Sequence, residues 1–281
     1  MGPVRADRAA RTALAAVAAL LVALVPSAAA RAAQPVPGPG SGAPAARTID
    51  DAVRVWRATA PSTVLVGRSV LGRPILAHRQ GPADAPSVLL VLGQMHGSEP
   101  RGRDVVRAIT SMAPPPGVQV WTISTMNPDG AAVGRRTNAH GVDPNRNFPY
   151  GWSPRYSSRL YYYPGSAPAT EPEVVALMAF LDQLRPDLIV SMHQHYHAVD
   201  LGGVAKTWPW AHRLSAAMHL RATVVPCNIG TCTGTMTAWF NATHPGVAIT
   251  VELPLSVPPS LATAYARAIL GVGALLGQPG A

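Results

Sequence analysis

Short apolar runs alternate with helical patterns along most of this chain. "STVLVGRSV" and "RPILAHRQ" read as a hairpin, "SVLLVLGQ" as a buried strand, and "PRGRDVVRAITSM" as a helix. "VQVWTIST" is another strand. A helix is expected from Glu171 to Leu184, where Thr170 can cap the first turn and Glu173 can reach back to complete a capping box, with Pro172 in the first turn. "DLIVSMH" is again a buried strand, "PWAHRLSAAMHL" a helix, "GVAITVEL" a strand and "SLATAYARAILGVGALL" a closing helix. Such alternation argues for an α/β/α sandwich around one mixed sheet. The stretch from Asn127 to Thr170, rich in Gly, Pro, Asn, Arg and Tyr, is too long for an idle connection and reads as a functional loop.

The N-terminus changes where this reasoning starts. Arg5, Arg8 and Arg11 precede the apolar run "ALAAVAALLVALV", and "PSAAARAA" ends in overlapping A-x-A patterns. Residues 1–32 therefore read as a secretory signal peptide cleaved near Ala30 or Ala32. The rival, a retained anchor, fits less well because the run is mostly alanine and Pro26 follows it. Residues 33–46 form a Pro/Gly linker, and residues 47–281 suit one catalytic-sized domain. The expectation is a secreted chain, free of stable membrane insertion once cleaved and possibly associated with the cell wall, that works as a monomer.

Four arginines and one aspartate of the first 32 residues carry +3 of the formal charge of +9, leaving +6 on the mature chain. Attraction to anionic wall polymers and a plain coding bias explain this equally well, and nothing resembles a nucleic-acid surface. Cys227 and Cys232 are the two cysteines; in an oxidising compartment, a pair so close reads as a disulfide.

"GQMHGSEP" presents His96 and Glu99 after a buried strand, two suitable zinc ligands that lack a third. "SMHQHYHAVD" offers His193, His195 and His197 at alternate positions. On one straight strand these span about 13 Å, too far to close around one ion. His193, emerging first from its strand, is the better third ligand. His195 and His197 are either cleft-lining residues or solvated surface histidines, and Asp200, Gly202 and Gly203 suggest a turn beyond them.

"HGSE", "NPDG", "RTNAHGVDPNRNFP", "TEPE", "SMH" and "TVELP" occur in the order and approximate spacing of the zinc metallocarboxypeptidases, which the chain resembles from about residue 88 to 254. Its short "NPDGAAVGRRTNAHGVDPNRNFP" segment is similar to that of bacterial murein peptide amidases, which cut γ-D-glutamyl-diaminopimelate bonds. The resemblance implies a mostly parallel eight-stranded sheet and one zinc per chain, held by His96, Glu99 and His193. It implies Glu252 as general base, Asn145 and Arg146 as the grip on the substrate's terminal carboxylate, and Arg136 as oxyanion stabiliser, with Arg135 competing for that part. Asp143 would orient His96, while Asn127 to Gly130 would build a turn. His195, His197 and Asp200 are candidates for binding the far end of a diaminopimelate side chain.

Two departures from the family pattern stand out. Pro144 replaces a common aliphatic residue, and there is no tyrosine between Tyr196 and Tyr265, where digestive relatives place a mobile one. That absence favours a wall peptide over ordinary C-terminal residues. The rival functions are a general carboxypeptidase, a deacylase of N-acyl amino acids and a wall-binding protein on an inactive scaffold. The "RTN" and "NRN" segments argue against the deacylase, and the intact ligand set against the inactive scaffold.

Overall fold

The computed structural model describes residues 48–155, 161–226 and 232–278. The expected signal peptide and linker lie outside these, as does Cys227 of the expected disulfide. Among the described residues no helix is long and apolar enough to cross a membrane. In chain order the elements are α1 (Ile49–Thr59), β1 (Thr63–Arg68), β2 (Pro74–Gln80), β3 (Ser87–Leu92), α2 (Arg101–Thr110), β4 (Val118–Ile123) and α3 (Pro128–Val133). They continue through α4 (Pro172–Leu184), β5 (Leu188–Gln194), β6 (Ala198–Asp200), α5 (Trp208–Met218), β7 (Arg221–Thr223), α6 (Met236–Thr243), β8 (Val247–Leu253) and α7 (Pro259–Gly273).

The strands form one eight-stranded sheet in the order β1-β2-β4-β3-β5-β8-β6-β7. β3 pairs in parallel with β4 and β5, β5 with β8, and β6 with β7, whereas β1–β2, β2–β4 and β6–β8 are antiparallel. This is the expected mixed sheet, with parallel pairing at its centre.

The three layers follow from strand periodicity. Along β3, Leu89 and Val91 enter a core shared with α2, α5 and α7, while Val88, Leu90 and Leu92 enter another shared with α4 and α6. Alternate residues feed opposite faces, so a strand buried on both sides must be apolar throughout. β3, β4 and β5 are buried along almost their whole length for this reason.

The chain leaves β3 for β4 on one side of the sheet and later builds β5 and β8 on the other. The carboxyl ends of β3 and β5 therefore flank a switch point, where α/β sheets open a crevice.

The apolar-run strands and the helices flanking them form as expected, but some expectations fail. Thr170 does not cap α4: its N-cap is Glu171, which makes no side-chain cap bond. Glu173 accepts instead from the Val70 amide (3.0 Å) and the Asn138 amide group (3.1 Å), long-range bonds that tie α4 to the β1–β2 turn and the functional loop. The "NPDG" segment is the first turn of α3 rather than a free turn, capped by Asn127 Oδ1 accepting from Gly130 N at 2.9 Å. Helix α6 and the three-residue strands β6 and β7 lacked a periodic signal long enough to read, whereas α1, eleven residues long, amphipathic and capped by Thr48, carried one that the sequence reading passed over.

Candidate metal centre and substrate cleft

His96 sits four residues beyond β3, in the loop leading to α2, and His193 is the penultimate residue of β5. β3 and β5 are adjacent, so two histidines distant in sequence meet at one edge. The "HGSE" loop can settle there because Gly97 packs directly on the backbone of Gly130, where a side chain at either position would overlap neighbouring atoms.

Ligand-type atoms of His96, Glu99 and His193 all lie within 4.8 Å of one another, and all three residues are buried. His96 Nδ1 is 2.9 Å from Glu99 Oε1 and 3.2 Å from His193 Nδ1, and His193 Nδ1 is 3.0 Å from Glu99 Oε2. On its other side the His96 ring meets Asp143 Oδ1 through Nε2 at 3.1 Å. A carboxylate there favours the tautomer with its proton on Nε2, so His96 Nδ1 presents a lone pair to the other two acceptors. The three residues gather their ligand atoms around one point, and two imidazoles with one carboxylate are a donor set for a catalytic zinc with an open position. Glu99 is held well below the usual carboxylate range: burial raises its pKa, but the neighbouring His96 and His193 outweigh it. Asp143, fully buried, is likewise held low, its desolvation overcome by Arg136 and His96.

Glu252 reaches the same centre from β8, whose parallel register with β5 sets it beside His193. It is buried, with Oε2 lacking a hydrogen-bond partner among the described residues. Burial, aided by nearby Glu99 and opposed by His193, raises its pKa above the ordinary value. A carboxylate oxygen left open at the edge of a cleft suits the handling of a proton on a bound water.

Arg136 and Arg146 line the cleft, while Arg135 is exposed and lies outside its lining. Arg136 Nε donates to Asp143 Oδ2 at 2.8 Å and Nη1 to Glu99 Oε1 at 3.1 Å. Asn127 holds the Arg136 carbonyl through Nδ2 at 3.1 Å, so the "NPDG" segment also supports this arginine. Pro144 opens a short 3-10 turn through Arg146, with Asp143 Oδ1 accepting from Asn145 N at 2.9 Å. Asn145 Oδ1 accepts from Met236 N at 2.9 Å, so only its amide NH2 remains to donate into the cleft.

The cleft has a volume of about 490 Å3, and sequence reasoning missed part of its wall. Tyr161 and Tyr162 lay their rings 5.4 and 4.9 Å from the Arg136 guanidinium, and Tyr162 lies 5.5 Å from that of Arg146. Aromatic faces at this range attract a guanidinium. "YYY" in the long loop was the available signal. The pair gives the cleft tyrosines despite the gap between Tyr196 and Tyr265. His195 lines the cleft; His197 does not and is exposed, because β5 ends at Gln194 and the alternation of the three histidines ends with it. Asp200 lines the cleft from the last position of β6, and its Oδ1 accepts from the Gly202 amide at 2.8 Å where the chain leaves the strand.

A zinc carboxypeptidase family profile matches residues 117–213. That segment includes Arg136, Asp143, Asn145, Arg146 and His193, while His96, Glu99 and Glu252 lie outside it and are brought in by the fold. The chain is 32% identical over 144 residues to murein peptide amidase A of Escherichia coli K12, covering 47% of this chain and 59% of that protein. It is 32% identical over 145 residues to the Vibrio campbellii protein of the same name, covering 48% of this chain and 58% of that one.

Among solved structures, murein-tripeptide amidase from Escherichia coli O157 superposes with a TM-score of 0.63 at 25% identity, over 80% of this chain and 98% of that one. Carboxypeptidase A from Helicoverpa armigera gives a TM-score of 0.65 over 82% of this chain and 72% of that one, a likeness of fold at 16% identity. Fold, donor set and these likenesses agree: the chain shares the fold of zinc carboxypeptidases and carries a segment that matches their family profile, and it spans less than two thirds of the length of the curated relatives it matches.

Proposed function

We propose that this chain is an exported zinc-dependent peptidase that hydrolyses an amide next to a free carboxylate in peptidoglycan-derived peptides such as γ-D-glutamyl-diaminopimelate. One observation carries the reading: Glu252, level with His193 across β5 and β8, stands beside the His96–Glu99–His193 cluster in a cleft also lined by Arg136 and Arg146. Zinc held by that cluster would supply a Lewis acid that acidifies water and polarises the scissile carbonyl. Glu252 takes the water's proton and returns it to the leaving amine. Arg136, fixed by Asp143, donates to the oxygen that gains charge as the carbonyl is attacked, a contribution of several kcal/mol for one good donor. Arg146 grips the terminal carboxylate with its planar fork, assisted by the Asn145 amide.

The wall-peptide substrate is favoured by the likeness to proteins named murein peptide amidases. Export rests on the N-terminal pattern of charge, apolar run and small residues.

The test pairs zinc content with turnover in the wild type and in Glu252→Gln. The wild type is expected to bind one zinc and to cleave a γ-D-glutamyl-diaminopimelate tripeptide faster than hippuryl dipeptides. Glu252→Gln should keep its zinc and lose activity by about 100-fold or more. Faster cleavage of the hippuryl series makes the general carboxypeptidase the better account. Zinc-loaded wild type that cleaves neither series would mark a non-catalytic scaffold.

A further inference from the structure

We infer that Gln194 is a positioning residue for hydrolysis: its side-chain amide ties the loop that carries Glu99 to the chain leaving Glu252, and so sets the spacing between the metal centre and the general base. The inference rests on the peptidase reading and gives a part in it to a side chain that acts through its neighbours.

The metal centre and Glu252 are assembled from separate segments of the chain. Sheet register holds two of the four residues together, because β5 and β8 pair in parallel with His193 opposite Glu252. It does not reach the other two. His96 and Glu99 follow β3 outside any strand, in the loop that enters α2. That loop also lacks a local cap, since the N-cap of α2 is Pro100, whose side chain cannot accept from the first amides of the helix.

Gln194, the last residue of β5 and half-buried in the cleft wall, supplies both links. Its Oε1 accepts from Arg101 N at 2.9 Å, which caps α2 from another element two residues after Glu99. Its Nε2 donates to Pro254 O at 3.1 Å and to Leu255 O at 3.4 Å, two and three residues after Glu252. Its backbone N donates to Glu99 Oε2 at 3.3 Å. These bonds begin where the sheet stops, because the β5–β8 pairing ends at Gln194 and Leu253. One amide, with both its hydrogens and its oxygen engaged, thus bridges the start of α2 and the exit of β8. Its effect falls on position more than on overall stability, since β5 and β8 are already paired at seven positions. Position is what a general base depends on: it must stay within hydrogen-bond reach of its proton, and a misplacement of about 1 Å can cost about 100-fold in rate.

The experiment compares the full chain with Gln194→Met and Gln194→Glu. Methionine keeps the length of the side chain and makes neither link, whereas glutamate keeps the acceptor for Arg101 N but turns an oxygen towards the Pro254 and Leu255 carbonyls. At saturating zinc, on whichever peptide series the wild type cleaves faster, kcat is expected to fall by about 10- to 100-fold in both variants while KM stays within about three-fold. Crystal structures of the zinc-free proteins give a readout that needs no turnover: the Glu252 carboxylate is expected to shift by about 1 Å or more relative to Glu99 and His193 in both variants. A wild type that cleaves no peptide sinks the peptidase reading, and the shift of Glu252 then decides the tie by itself. Glu252 found in its wild-type place in either variant, a kcat that stays within about two-fold of wild type, or a loss carried by KM alone overturns the inference.

Discussion

The carboxylate of Asp143 joins two parts of the site: Oδ2 accepts from Arg136 Nε at 2.8 Å while Oδ1 lies 3.1 Å from His96 Nε2. One buried anion thus sets the tautomer of His96 in the candidate metal centre and the direction of Arg136 in the cleft. Asp143→Ala is expected to weaken zinc binding by about 10- to 100-fold, by the usual cost of losing such a partner. It should also lower kcat at saturating zinc, because Arg136 loses its anchor. Zinc affinity by competition with a chelator, together with kcat at saturating metal, separates the two effects; an unchanged kcat would mean that Arg136 holds its place without Asp143.

The three histidines near the end of β5 should differ sharply in zinc content. His193→Ala is expected to purify without stoichiometric metal, whereas His195→Ala and His197→Ala should retain one zinc per chain. Elemental analysis of dialysed protein checks this, and full occupancy in the His193 variant would remove it from the ligand set.

Asp129 gives a pH-dependent contribution to stability. It accepts from Leu71 N at 2.9 Å and Arg73 Nη1 at 2.6 Å; burial raises its pKa, but these bonds outweigh the burial and leave it below the ordinary value. Its stabilisation is therefore full above the unfolded carboxyl pKa of about 3.9 and is lost as pH falls through the lower folded value. Asp129→Asn should cost roughly 2 kcal/mol at pH 7, in the range for hydrogen bonds to a charged group. Denaturant titrations are expected to show the gap between wild type and variant closing below pH ~4. A gap of constant size down to the acid limit would contradict the assignment.

Cys227 and Cys232 are expected to be bridged in exported protein. Intact mass without reductant should fall short of the reduced mass by two hydrogens, about 2 Da. Two thiols alkylated in unreduced, denatured protein would refute the bridge. Closing so short a loop stabilises by roughly 2 kcal/mol in the chain-entropy estimate, and its effect would fall on the cleft wall that Cys232 joins.

Much of this protein is legible in the sequence, because burial on both faces of a central strand and the amphipathic pattern of a helix are local properties. "SVLLVLGQ", "VQVWTIST" and "DLIVSMH" can bury every residue only inside a covered sheet, and so they fix the three-layer architecture. His96, Glu99, His193 and Glu252 are also legible, each at or just beyond the end of an apolar run where such sheets gather ligands. Tertiary structure decides what depends on neighbours remote in sequence. It ties Arg136 to the remote Glu99 as well as to Asp143 while Arg135 stays exposed, and it draws Glu173 away from its own helix start to Val70 and Asn138. It brings Tyr161 and Tyr162 to the guanidinium of Arg136, leaves His197 in solvent, and sets Asp200 level with Thr250 through a strand of three residues. A strand that short has no periodicity to read, and its place between β8 and β7 comes from backbone pairing rather than from its own side chains.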